Sequence, residues 1–201
     1  MTLPEKKDVN PDPQAALNLE TPPALPYATR SIVLVGMMGA GKTTVGRRLA
    51  SAMRLPFCDT DAEIEAAAGC SIADFFEKFG EPAFRDGERK VITRLLEGPR
   101  QVLATGGGAF IDPDTRARIK SIGLSIWLRA DVDVLLKRVM KRHTRPLLKK
   151  GDPRETILRL IDQRYPIYAE ADIVLDTIDG PHDAMVVGIQ SAIAAFLKDH
   201  P

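Results

Sequence analysis

The run Gly36-Met37-Met38-Gly39-Ala40-Gly41-Lys42-Thr43-Thr44 holds the residues with the clearest chemical purpose in this chain. Gly36, Gly41, Lys42 and Thr43 fit the spacing G-x-x-x-x-G-K-[ST] of a phosphate-binding loop. Glycines let successive backbone N–H groups curl around a phosphate without Cβ clashes. A lysine at 42 carries a point charge to the terminal phosphates of a nucleotide, and the hydroxyl at 43 suits Mg²⁺. Gly39, Ala40, Gly41, Lys42, Thr43 and Thr44 are therefore the candidate nucleotide-binding residues, with Thr43 as a metal ligand.

Four further groupings could do chemistry. In Asp59-Thr60-Asp61, carboxylates two apart at a strand end can face one cleft, one holding a Mg²⁺ hydration shell and the other a substrate hydroxyl. Either could instead simply cap a following helix. Gly106-Gly107-Gly108 permits close backbone approach to a ligand, or is an ordinary flexible loop. Arg85, Arg145 and Arg164 occur at spaced positions; guanidinium suits bidentate capture of a carboxylate, although most arginines are solvated surface groups. Residues 141–153 are dense in cations and end in Gly151-Asp152-Pro153. Such a segment could close over a polyphosphate and exclude water, or be a charged solvent-facing loop.

These residues need elements to position them. Short apolar runs at 32–35, 56–59, 101–105, 124–128 and 172–175 read as strands. Helical patterns fill 42–53, 62–68, 72–79, 82–96, 113–121, 132–141, 154–169 and 181–198. Strands alternating with helices imply an α/β fold, a five-stranded parallel sheet covered on both faces in three α/β/α layers. Ligands in such sheets bind beyond the carboxyl ends of the strands. The phosphate loop, the Asp pair and the triple glycine all follow expected strands.

Bulk properties narrow the function further. A chain of 201 residues with 44% hydrophobic content suits one folded domain. A formal net charge of +1 supplies no broad electrostatic footprint for nucleic acid or an acidic membrane surface. No apolar run approaches the roughly 18–20 residues that span a bilayer. Cys58 and Cys70 make no disulfide framework or metal spacing and read as buried thiols in a reducing compartment. Residues 1–29 carry Pro4, Pro11, Pro13, Pro22, Pro23 and Pro26, which disfavours helix and packed strand, so a disordered or surface-draped tail is expected. The tail has neither the apolar stretch of a secretory signal nor the arginine content of a transit peptide. The expected organisation is that tail followed by a single domain over 30–201 with a lid at about 142–153.

In this order and spacing, the motifs resemble shikimate kinase, within the nucleoside-monophosphate-kinase-like branch of P-loop folds. The resemblance rests on the 36–43 loop with Met37-Met38, Asp59-Thr60-Asp61, Phe84-Arg85-Asp86-Gly87-Glu88, Gly106-Gly107-Gly108, Arg145-Pro146-Leu147-Leu148 and Arg164-Tyr165-Pro166-Ile167-Tyr168. It spans about residues 30–177; Thr60 stands where the family commonly has Ser, leaving both carboxylates in place. It implies a P-loop kinase fold with a lid, ATP and Mg²⁺ as cofactors, and transfer of the γ-phosphoryl group to the 3-hydroxyl of shikimate. It further implies Lys42, Asp61 and Arg145 as catalytic residues, Asp61 binding substrate hydroxyls as the candidate base. Arg85, Arg164 and the Gly106–Gly108 turn would hold shikimate, the arginines on its carboxylate. Arg138 would lie near the nucleotide base, Arg145 would also contact the nucleotide from the lid, and Asp59 would act on Mg²⁺ through water. A cytoplasmic monomer with a small-molecule partner, and no nucleic acid or membrane, is expected. Kinases of gluconate or of a nucleoside monophosphate share the phosphate loop but not the Asp-x-Asp, Phe-Arg and triple-glycine set. A nucleotide-dependent switch would leave the arginines and the glycines without a purpose.

Overall fold

The computed structural model describes residues 29–140, 152–177 and 182–200. The expectations for the tail, for nearly all of the lid and for Arg145 fall outside those residues.

Strand β1 (Ser31–Val35) is built from β-branched and aliphatic residues, and Ile32, Val33, Leu34 and Val35 are all 0% exposed. Such a run, apolar on both faces, belongs in the middle of a parallel sheet. It pairs with β3 (Val102–Ala104) on one side, Ile32 opposite Val102, and with β4 (Gly123–Arg129) on the other, Val35 opposite Trp127. Strands β2 (Phe57–Asp59) and β5 (Ile173–Asp176) complete a five-stranded parallel sheet in the order β2-β3-β1-β4-β5.

The expected strands and helices recur with shifted ends. Helix α1 spans Lys42–Met53, α2 Thr60–Ala68, α4 Pro113–Ile122, α5 Val132–Met140, α6 Pro153–Tyr168 and α7 His182–Asp199. Helix α2 starts two residues earlier than its apolar pattern because the Asp59 side chain accepts from the Asp61 N–H and caps it. The two helices expected at 72–79 and 82–96 are both present within α3 (Ile72–Glu97), separated by a kink at Gly80, whose φ of 76° and ψ of 177° are not helical. Pro82, fixed in φ and lacking an N–H, sits in the first turn after that break.

Right-handed crossovers assign the layers. The chain moves from β1 toward β2 through α1, then back across the sheet through α3, α4 and the α5–α6 pair. Helix α1 is thus on one face and those helices are on the other. Helix α7 packs on α1, α3 on α4, and α5 on α6. Because the connections from β1 and β3 leave in opposite directions, a crevice opens between their carboxyl ends. The phosphate loop follows β1 and the triple glycine follows β3.

Trp127, in β4, is 3% exposed and packs edge-on against Tyr165 in the core. Cys58 and Cys70 are only half-buried, because one lies on the edge strand β2 and the other in the turn between α2 and α3, where the covering layer is thin. Burial first, then the nearby Glu63 and Asp59 carboxylates, push the Cys58 thiol up to about 11. No helix among the described residues is long and apolar enough to cross a membrane.

Gly46 shows how tightly α1 sits on the sheet: a Cβ there would lie 2.7 Å from the Phe57 ring and 3.2 Å from Leu34 Cδ1. Gly188 of α7 has no neighbour within 4 Å of the same position. Denaturant titration should therefore separate the two. Gly46→Val is expected to lose about 1–3 kcal/mol through overpacking, whereas Gly188→Ala should gain about 0.5–1 kcal/mol from helix propensity. A tolerated Gly46→Val would contradict the packing described.

Candidate active site

The phosphate loop turns on backbone conformations that only glycine adopts easily. Gly36 has φ 132°, and a Cβ there would meet the Leu128 carbonyl at 2.8 Å and Trp127 at 3.1 Å. Gly41 (φ 96°) is the N-cap of α1 and supplies no side-chain cap, so the first-turn N–H groups and the positive end of the helix dipole face an incoming anion. Lys42, 8% exposed, donates from Nζ to the carbonyls of Gly36 (2.7 Å) and Met37 (2.9 Å), lying across the mouth of the loop. From α5, Arg138 Nη1 reaches the carbonyls of Gly39 and Ala40 at 3.4 Å.

Beside the loop, Thr43 Oγ1 donates to Asp59 Oδ2 at 2.8 Å, while Asp59 Oδ1 accepts from the Asp61 N–H at 3.1 Å. Asp59 caps α2, as the capping reading of the pair has it, and also turns an oxygen to Thr43 of the phosphate loop. The donor set, one hydroxyl and one carboxylate, is hard oxygen. Among the described residues no cluster of three His, Cys, Asp or Glu forms a cage. That suits Mg²⁺, which keeps several waters and relies on substrate phosphates for other ligands.

The triple glycine is not a positive-φ turn, since none of Gly106, Gly107 and Gly108 is among the positive-φ glycines. At Gly106 and Gly108 side chains stand where a Cβ would be, whereas a Cβ at Gly107 would meet nothing closer than 3.4 Å. A Cβ at Gly106 would come within 2.6 Å of Asp61 Oδ1, and one at Gly108 within 2.5 Å of Arg85 Nη1. Both ends of the turn are held: Gly106 N donates to Thr60 Oγ1 at 3.2 Å, and the Gly107 carbonyl accepts from Arg164 Nη1 at 3.1 Å. The bland reading, a flexible loop, does not describe it.

Arg85 pairs with Glu88 (Nη1 to Oε2, 2.5 Å) and with Glu81 (Nη2 to Oε1, 3.3 Å). Glu88 is 2% exposed. Burial pushes its carboxyl above the usual range; Arg85 opposes this, and the Asp61 and Asp112 carboxylates add to it. Burial also disfavours the Arg85 cation, but Glu88 and Glu81 outweigh it and hold that guanidinium charged. Sequence reasoning quoted Glu88 and Tyr168 within motifs but gave them no part. The signal available was helical spacing: Glu88 is three residues beyond Arg85, on the same face of α3.

One cavity of about 270 Å³ is lined by Gly39, Gly41, Lys42, Thr43, Thr44, Asp59, Asp61, Gly106, Gly107 and Arg138. Ten of the expected site residues therefore converge. Ala40, 1% exposed, packs beneath the loop. Arg85, Gly108 and Arg164 do not line that cavity and meet it through the glycine turn. Arg145 lies outside the described residues. The arrangement joins the open N-terminus of α1 and the Asp59 and Asp61 carboxylates in one cavity, with Arg85 and Arg164 beyond the glycine turn that borders it.

Comparison with known proteins agrees with that chemistry. A model of the shikimate kinase family matches residues 38–194. The shikimate kinase of Paramagnetospirillum magneticum is 60% identical over 168 residues, covering 84% of this chain and 86% of its own length. That of Rhodopseudomonas palustris is 55% identical over 172 residues, covering 86% and 85%. Among solved structures, shikimate kinase from Acinetobacter baumannii in complex with shikimate superposes with a TM-score of 0.80 at 38% identity, covering 83% of this chain and 94% of that one.

The buried Glu88 carries a pH signature. Because its folded pKa is raised from 4.5, it stabilises the fold most when protonated, below that value, and this contribution fades as pH rises through the folded pKa. Chemical denaturation at several pH values should show wild-type stability declining relative to Glu88→Gln across the window just above pH 4.5. A difference that is flat or grows with pH would mean that the carboxyl is not raised.

Proposed function

Because this chain belongs to the shikimate kinase family, we propose that it transfers the γ-phosphoryl group of ATP to the 3-hydroxyl of shikimate. The products are shikimate 3-phosphate and ADP, a step of chorismate and aromatic amino-acid biosynthesis. The observation that carries this reading is the shared cleft: the open N-terminus of α1 and the Asp61–Gly106 contact line one cavity, and Arg85 and Arg164 adjoin it through the same turn.

Shikimate is small, anionic and polyhydroxylated, so a matching site needs cations for the carboxylate and acceptors for the hydroxyls. Arg85 and Arg164 take the carboxylate, with the Gly106–Gly108 turn between them. Asp61 accepts from the hydroxyls. Phosphoryl transfer asks mainly for positioning and charge neutralisation. Lys42 leaves the Gly36 and Met37 carbonyls for the phosphates, exchanging two neutral acceptors for a charged one. Asp61 orients the reacting hydroxyl and takes its proton as the O–P bond forms and the bond to ADP breaks. The Gly39–Thr44 backbone holds the phosphates, and Arg138 flanks the nucleotide. Arg145 contacts the transferring group from the 142–153 lid. Thr43 and, through water, Asp59 would hold Mg²⁺, which would supply positive charge to the transferring phosphates. The enzyme acts as a cytoplasmic monomer.

The direct test is ATP- and Mg²⁺-dependent ADP release with shikimate, gluconate, AMP or no acceptor. Turnover with shikimate alone is expected; release indifferent to the acceptor would replace the kinase reading with that of a nucleotide switch. Lys42→Ala should lower kcat by about two to three orders of magnitude, the scale of losing one charge-stabilising donor in a transition state. Near-normal turnover in that variant would remove Lys42 from the chemistry.

A further inference from the structure

Tyr168 is 0% exposed, yet it has a polar end that the reaction scheme leaves unused. Its ring lies among Phe110, Trp127 and Tyr165, with centroids 6.5, 5.8 and 6.4 Å away. Its hydroxyl donates to the Gly107 carbonyl at 2.5 Å. The same carbonyl accepts from Arg164 Nη1 at 3.1 Å. A buried phenol and an arginine thus meet at one loop carbonyl, to which both donate.

We propose that Tyr168 is a positioning residue for the acidic end of the substrate: its hydroxyl sets the Gly107–Gly108 peptide and, through the Gly107 carbonyl they share, the place of the Arg164 guanidinium. Resting on the shikimate kinase reading, the role follows from two constraints. The peptide unit is planar, so anchoring the Gly107 oxygen fixes the direction of the Gly108 N–H. Arg164 uses one nitrogen on that carbonyl. When a substrate carboxylate draws the guanidinium toward itself, the Tyr168 hydroxyl still satisfies the carbonyl, so the turn keeps its shape. Burial pushes the phenol up to about 12, with Arg164 opposing it, so the proton stays in place at neutral pH. Residues Arg164 and Tyr168 are four apart on α6, which puts them on one helix face.

The test is steady-state kinetics of Tyr168→Phe, which keeps the ring and removes the hydroxyl. The KM for shikimate should rise about 3- to 10-fold, the worth of one hydrogen bond. The KM for ATP and kcat should stay within about twofold, and Tm should fall by no more than a few degrees. In an Arg164→Lys background the same substitution should have a much smaller effect, because both act through one group. An unchanged KM for shikimate, parallel losses in both KM values and kcat, or full additivity with Arg164→Lys would overturn the proposal. A second readout uses wild-type protein: the ¹³Cζ resonance of Tyr168 should shift on addition of shikimate and not of ADP, and a silent resonance would overturn it as well. Wild-type protein that neither turns over nor binds shikimate would instead remove the functional reading, and this role with it.

Discussion

Complete burial of β1 between β3 and β4 is the interaction on which the site depends. A strand with four consecutive residues at 0% exposure contributes about 2 kcal/mol per large side chain removed from water. Its position in the sheet is correspondingly rigid. The phosphate loop begins at its last residue, and Gly36 is wedged against Leu128 and Trp127 of the neighbouring strand. The loop therefore inherits its position from the core. Because the chain leaves β1 and β3 in opposite directions, the same strand pair that anchors the sheet also opens the crevice.

Missing Cβ atoms then bring the charged groups together. The carboxylate of Asp61 and the guanidinium of Arg85 approach the turn at Gly106 and Gly108 so closely that a Cβ at either position would force them aside. Glu88 lies between them, buried and paired with Arg85. A buried pair of this kind contributes little net stability and much orientation. Arg85 is held by two carboxylates on its own helix, presenting a fixed donor array rather than a mobile side chain. Around the phosphate loop the donors are almost all backbone, so nothing there must be reorganised when a phosphate arrives except Lys42.

Most of the architecture was legible in the amino-acid order. Short apolar runs placed the five strands and period-3.6 patterns the helices among the described residues, and only their ends moved. Helix α2 began early because a cap, not an apolar face, starts it. The segments flanking Gly80 were recognisable as two helices, and the non-helical backbone at Gly80 separates them. The half-burial of Cys58 and Cys70 was not legible, since thiols on an edge strand and in a turn look the same in sequence as thiols in a core.

The sequence by itself determined which chemical groups are present and at what spacing: a glycine-lysine-threonine loop, a carboxylate pair, a triple glycine and separate arginines. Those follow from local backbone requirements and residue chemistry, so they can be read without a fold. Only the tertiary structure decided what each group touches. That Gly106 and Gly108 are required by crowding from Asp61 and Arg85 rather than by a left-handed turn, that Asp59 both caps a helix and accepts from Thr43, and that Glu88 and Tyr168 belong beside the site all depend on long-range approach. Side chains from α2, α3 and α6 meet at one turn after β3, and distances between distant segments are set by packing rather than by spacing along the chain.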